Sequence, residues 1–446
     1  MSAPRLLSAQ RLIPLHTRLK AGTFARGIAG ITFGTALGQL LLVAATPVIT
    51  RLYPPADFGL FGVYTGVVSL AVVLGAARYE LAVPMASDER EALYLVCLSF
   101  VVLVGTVVAV AIAVAFFGRD VAQVLRAPEF EPFLWIVPVG LFVGVVQQTL
   151  NSYAARLRDY RAISQTKVAQ GVGQALIPII MAPAGPIGLL AGDVAGKLGG
   201  TARLGALLLK STRDIAGLPS VKELCRIARQ YKAFPLLSSP SALLNTFALQ
   251  IPTLLFASLY GPSVAGWLML SNRVVGTPMR LIGQSVAQVY LGEAARAKRE
   301  SPERLHPVFK KLASRLLLFG GIPICLIGVG APFVFDLVFG AEWQNAGVYT
   351  ALMCPAMLGQ FVVSPLSQTA AIVGRQGRQL LLDATRTALL VLSVWIPFRS
   401  GWTPNTAVAC YAAVLSATYV ALYFFYSSIV AAASASTAPT LCSRDA

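Results

Sequence analysis

Apolar runs recur so densely along this chain that lipid, not water, must be its main solvent. A helix that crosses a bilayer needs roughly 20 mostly apolar residues. About twelve such segments are present, at 27–49, 59–84, 92–117, 133–154, 165–184, 187–209, 236–260, 264–291, 316–339, 347–373, 380–398 and 405–430. Prolines fall inside many of them, including Pro47, Pro178, Pro252, Pro278 and Pro355. In water each would stop a helix; in a membrane bundle, neighbouring helices satisfy the freed backbone groups and proline marks a bend. The predicted fold class is an all-α polytopic membrane protein.

Composition agrees. Charged residues make up 12% of the 446 positions, against roughly 25% in a soluble globular protein. The net charge of +17 would suggest nucleic acid on a soluble chain. Here its placement gives another account. When the N-terminal segment and every second loop are assigned to one side, that side collects most of the Lys and Arg. The loop at 292–315 alone holds Arg296, Lys298, Arg299, Arg304, Lys310, Lys311 and Arg315. The loops of the opposite side hold only Arg51, Arg119, Arg126 and Arg399. Positive charge marks the cytoplasmic side, so both termini are expected there and no nucleic-acid partner is needed. The basic segment 1–26 lacks a small-residue cleavage site after a short apolar core and reads as a cytoplasmic tail lying on anionic lipid.

The expected organisation is a tail at 1–26, a six-helix half at 27–209, a cytoplasmic linker at 210–235, a second six-helix half at 236–430 and a tail at 431–446. A short repeat supports two halves. Leu52-Tyr53-Pro54-Pro55-Ala56-Asp57-Phe58-Gly59 follows the first span, and Leu259-Tyr260-Gly261-Pro262-Ser263-Val264-Ala265-Gly266 follows the seventh. Leu, Tyr, the second Pro and Gly coincide. Two parallel halves with substrate held between them are a common carrier plan.

No cofactor or metal is called for. The six cysteines form no C-x-x-C pair, and His16 and His306 lie far apart, so no ligand cluster with zinc spacing exists. There is no P-loop and no G-x-S-x-G elbow. No loop is long enough to hold a separate catalytic domain, so the chain reads as a carrier rather than an enzyme.

Candidate site residues are the polar ones inside spans, where an ionised side chain costs about 2.5–3.5 kcal/mol on insertion scales. At about 100° per residue, Arg273, Thr277, Arg280, Gln284 and Gln288 fall on one face of the eighth span. That stripe reads as a wet cavity wall, and two stacked arginines suit a phosphate or pyrophosphate through forked hydrogen bonds. Pairing with Asp193 or Asp383 is the competing account. Gln39, on a stripe of threonines in the first span, and Asn245 in the seventh either line the same cavity or join helices by hydrogen bonds. Asp193 and Lys197 are spaced to pair with each other, as are Asp383 and Arg386. Arg78 either faces the cavity or anchors the second span at the interface.

Several stretches resemble a known family. They are Thr50-Arg51-Leu52-Tyr53-Pro54-Pro55-Ala56-Asp57-Phe58-Gly59, Arg78-Tyr79-Glu80-Leu81-Ala82 with Asp88-Glu89-Arg90-Glu91, Tyr231-Lys232-Ala233-Phe234-Pro235 and Leu281-Ile282-Gly283-Gln284-Ser285. Together they look like the bacterial oligosaccharide flippases of the Wzx type, which serve O-antigen and exopolysaccharide assembly within the multidrug/oligosaccharidyl-lipid/polysaccharide exporter superfamily. The resemblance implies two six-helix halves in a V around a polar cavity. It implies alternating access that carries an undecaprenyl-pyrophosphate-linked oligosaccharide across the inner membrane. It also implies work beside a polysaccharide polymerase and export proteins. By that analogy Arg78 and Arg273 lie in or near the cavity, and Arg280 departs from an apolar position. The alternative is a multidrug or small-solute exporter of the same superfamily, which would favour carboxylates in the cavity over arginines.

Overall fold

The computed structural model describes residues 16–124, 128–212 and 219–435, and all its regular structure is helical. The first part comprises α1 (His16–Leu52), α2 (Pro55–Gly75), α3 (Glu89–Val124), α4 (Ile136–Arg156), α5 (Tyr160–Ile180) and α6 (Pro186–Thr212). A short helix, α7 (Val221–Gln230), stands in the linker. Then come α8 (Ser239–Tyr260), α9 (Pro262–Ser271), α10 (Thr277–Glu300), α11 (Leu305–Phe339), α12 (Gln344–Leu366), α13 (Gln368–Val373), α14 (Gln376–Arg399) and α15 (Pro404–Ala435). With α9–α10 and α12–α13 each counted as one rod, twelve rods form two sets of six. Of the expected tails, residues 1–15 and 436–446 lie outside the described residues.

Among the described residues, eight helices are long and apolar enough to cross a membrane by composition alone. The remaining rods are α4, α5, α6 and α9–α10. Several of their polar residues, among them Gln147, Lys167, Asp193 and Arg273, line internal chambers, which lowers mean hydropathy while keeping those groups from lipid.

Two spans differ from the sequence reading. The second, expected to reach residue 84, stops at Gly75. Ala77 and Arg78 adopt positive φ (47° and 63°), and two short 3₁₀ turns, Tyr79–Leu81 and Val83–Met85, follow. Left-handed backbone cannot continue a right-handed helix. The eighth span is not uniform: a π-turn occupies Asn272–Gly276. Pro278 follows it, and because proline has no N–H, the turn before it is free to widen. The π-turn at Phe234–Ser238 stands in the same relation to Pro240.

The two halves repeat the same packing. In the first, α1 lies on α5, α5 on α6, α2 on α4, α4 on α6 and α3 on α4. In the second, α8 lies on α14, α14 on α15, α10 on α12, α12 on α15 and α11 on α12. Each of these five pairs of the first half has its counterpart six spans later. The repeat seen in the sequence lies on the boundary itself. A Cβ at Gly59 would overlap the carbonyl oxygen of Pro262, and a Cβ at Gly266 would overlap that of Pro55. These are the same contact made twice across a pseudo-two-fold, and only glycine permits it.

We call the end that carries α7 the linker end and the other the far end. At the far end the halves are sealed by a shared apolar cluster that includes Ile49, Tyr53 and Phe58 from one half and Phe335, Phe339 and Trp343 from the other. The Trp343 indole N–H donates to the Thr50 carbonyl at 2.8 Å. An Arg51 guanidinium nitrogen donates to the Leu337 carbonyl at 3.3 Å.

At the linker end α7 is pinned to α3. Ile227, 1% exposed, enters a core with Tyr79, Val83 and Leu95. The Gln230 amide donates to Glu91 at 2.8 Å and the Tyr94 hydroxyl donates to Glu223 at 3.2 Å. Ser220 caps α7: its hydroxyl oxygen accepts the Glu223 N–H at 3.3 Å, closing a capping box, and its backbone N–H and hydroxyl each donate to the Glu223 carboxylate at 2.8 Å. Those bonds, the backbone one first, hold the Glu223 carboxyl below its ordinary value. A carboxylate with a depressed folded value stabilises above its unfolded value, and that contribution is lost as pH falls through the folded one. The amides of α7 should therefore lose exchange protection below the ordinary glutamate range, and E223Q should show the loss already at neutral pH. Equal protection in E223Q and the parent at neutral pH would mean that α3 alone holds α7.

Candidate functional site: a cationic cleft between the halves

Close crossings bring the polar faces of the first half together. A Cβ at Gly171 would overlap the backbone of Gly38, and one at Gly173 would come within 2.6 Å of the Gly196 Cα. Without side chains there, α1, α5 and α6 approach at backbone distance, so Gln39, Gln174 and Asp193 converge on one space. That space, the upper chamber, is about 340 Å³ between the halves, and a lower one adjoins it. The first half supplies Gln39, Thr65, Gln174 and Asp193; the second supplies Gln250, Asn272, Arg273, Thr277 and Arg280.

A second chamber of about 800 Å³ shares Thr65 and Asp193 with the first. It continues past Gln147, Gln148, Asn151, Lys167 and Lys197 to Pro84 and Ala155. The last two lie toward the linker end of the rods, so the joined cleft leads to the linker end while the far end is sealed.

Its electrostatics are one-sided. The lining carries Arg273, Arg280, Lys167 and Lys197 against the single acid Asp193. Lys197 donates to Asp193 at 2.6 Å, and the Gln174 amide donates to the other carboxylate oxygen at 2.9 Å. That pair is the self-neutralised couple expected from its spacing. Among the described residues no acid lies within 4.0 Å of either cavity arginine; the recorded ion pairs are Arg119–Glu131, Lys197–Asp193, Arg296–Glu300 and Arg386–Asp383. Arg273 lies 5.9 Å from the Phe58 ring centroid, and its Nη1 is buried without a hydrogen-bond partner. Arg280 donates to the Thr277 hydroxyl at 3.0 Å. Two guanidinium groups with donors to spare, facing one cleft, suit an anion with several oxygens.

The candidate residues from the sequence divide. Gln39, Arg273 and Arg280 line the upper chamber. Gln284 and Gln288 are exposed further along α10, and Asn245 is exposed on α8 beside Thr246, which lines the lower chamber. Arg78 lines neither chamber; it sits on the turn after α2 with Nε buried and unpartnered. Arg386 lies within the second half, 3.6 Å from Asp383 and over the Tyr419 ring at 5.9 Å. Two threonines of the first span bond within their own helix: Thr46 donates to the Leu42 carbonyl at 2.7 Å and Thr50 to the Pro47 carbonyl at 3.2 Å.

Lys167, Gln147, Gln148 and Asn151 were not singled out from the sequence. A fifth span that begins at residue 165 has Lys167 at its mouth. Asp159 instead starts α5 earlier, its carboxylate accepting from the Ala162 N–H at 2.9 Å, so Lys167 lies two turns inside. The polar run Gln147–Asn151 within an otherwise apolar span was the available signal.

A sealed far end, a polar cleft leading to the other end and a helix packing repeated in the two halves define a multi-pass membrane protein with a cleft between its halves. The chain belongs to the polysaccharide biosynthesis protein family, whose model matches residues 48–348. No curated protein sequence matches it. Solved structures share its fold. An inward-facing multidrug resistance MATE family transporter of the MOP superfamily is 15% identical, with a TM-score of 0.68 over 90% of this chain and 96% of the other. The lipid II flippase MurJ in an inward closed conformation is 11% identical, with a TM-score of 0.67 over 91% and 90%. A MOP superfamily transporter from Pyrococcus furiosus is 15% identical, with a TM-score of 0.51 over 91% and 96%.

Proposed function

We propose that this protein is a flippase that moves an undecaprenyl-pyrophosphate-linked oligosaccharide from the cytoplasmic to the outer leaflet of the bacterial inner membrane, for O-antigen or exopolysaccharide assembly. The observation that carries the reading is the cleft's charge: four cations against one acid, with both arginines free of acid partners. A pyrophosphate supplies the missing negative charge, and amides such as Gln147 and Asn151 suit sugar hydroxyls. The polyprenyl chain stays in lipid.

In this reading the linker end is cytoplasmic, as are both termini, consistent with the basic loop at 292–315. The halves 27–209 and 236–430 rock about their boundary, joined by the linker 210–235. Partners are the lipid-linked oligosaccharide, membrane lipids, and the polymerase and export proteins that use the product. Membership of a polysaccharide biosynthesis family and a fold shared with a lipid II flippase support it. The cationic substrates of a multidrug exporter would be repelled by this lining.

The decisive measurement is the fate of the lipid-linked repeat unit in a strain lacking the protein. Build-up of the unit on the cytoplasmic leaflet, with loss of surface polymer, is expected. Normal delivery to the outer leaflet would overturn the assignment.

A further inference from the structure

The upper chamber and the far-end seal share one aromatic ring. Phe58 opens α2 and is fully buried. Arg273, a chamber residue, lies 5.9 Å from its ring centroid. Trp343 packs edge-on against the same ring, 4.8 Å between centroids at 76°, and donates its indole N–H to the Thr50 carbonyl at 2.8 Å. Phe58 and Thr50 belong to the first half, and Arg273 and Trp343 to the second. The row therefore crosses the boundary between halves at each contact.

From this geometry we infer that Phe58 is the positioning residue that couples anion binding in the cleft to release of the far-end seal. The inference rests on the proposed anionic substrate. With the cleft empty, the half-buried guanidinium takes part of its stabilisation from the ring face, which ties the two halves together. An anion bound by forked hydrogen bonds draws the guanidinium toward itself and weakens that tie. A ligand shifts a conformational equilibrium only by its difference in affinity for the two states. The ring supplies such a difference, because it competes for Arg273 only while the seal is closed. Coupling is reciprocal, so a variant without the ring should bind the anion as tightly as the parent or more tightly. A merely structural defect would weaken binding.

The test uses the full-length protein in lipid nanodiscs with farnesyl pyrophosphate as the probe. Ala346, 0% exposed in the seal cluster, becomes the reporter as A346C, with the parent lacking it as the background for native cysteines. Farnesyl pyrophosphate should speed maleimide labelling of A346C by about tenfold, within the usual range of coupling. F58L should label faster without ligand, lose the ligand response and bind the probe at least as tightly; F58M serves the same purpose if F58L does not fold. An unchanged fold-response in F58L, or weaker binding, overturns the coupling. Binding to the parent without faster labelling overturns the coupling alone. No binding to the parent at all overturns the substrate reading and the coupling with it.

Discussion

Arg273→Ala is expected to abolish polysaccharide export while the protein still inserts at normal abundance. The guanidinium is placed by a π-turn that exists because Pro278 follows it. It faces the chamber with one nitrogen buried and unpartnered. A hydrogen bond to a charged group contributes about 1.5–3 kcal/mol, so a forked pair to a pyrophosphate is worth about 3–6 kcal/mol. Its loss should cost more than about a hundredfold in affinity at roughly 1.4 kcal/mol per decade. Arg273→Lys keeps the charge but not the fork and should keep part of the activity. Arg280→Ala should do less, because Arg280 is exposed and already donates to Thr277. Complementation of a deletion strain, with membrane abundance measured in parallel, checks all three. Full export by Arg273→Ala at normal abundance would refute the role.

What the sequence made legible followed from the solvent. Lipid forces helices, and spans of fixed length, so the helix count and the two halves could be read from apolar runs and the basic loops. Helix ends were less legible, because they depend on local backbone chemistry. The Asp159 cap moved the start of α5, and left-handed residues Ala77 and Arg78 ended α2 early. The site was half legible for a related reason. A stripe on one helix shows in periodicity, which is how Arg273 and Arg280 were found. Convergence of several helices depends on glycine crossings such as Gly171 on Gly38, and no single span displays that. Arg78 was the opposite case. Its charge in an apolar context drew attention, yet the turn after α2 places it outside both chambers.

The glycine contacts across the boundary between the halves give the second large expected effect. Gly59→Ala and Gly266→Ala should each disable the protein, and to a similar degree. In both, the added Cβ overlaps a carbonyl oxygen of the opposite half, and backbone cannot swing aside as a side chain can. Overpacking of a well-packed contact costs about 1–3 kcal/mol, sometimes more. That is enough to remove the closed seal from the population or to lower the unfolding midpoint in detergent. Gly105→Ala is the control: nothing lies within 4 Å of its added Cβ, and alanine is the better helix former, so export should be unchanged. The two harmful substitutions touch one seal, so their costs should not add; once the first has parted the halves, the second meets less resistance. Strain that opens the seal without unfolding the bundle would appear as faster labelling of A346C with an unchanged far-ultraviolet spectrum. Damage from Gly266→Ala with a neutral Gly59→Ala would break the two-fold relation on which the seal is built.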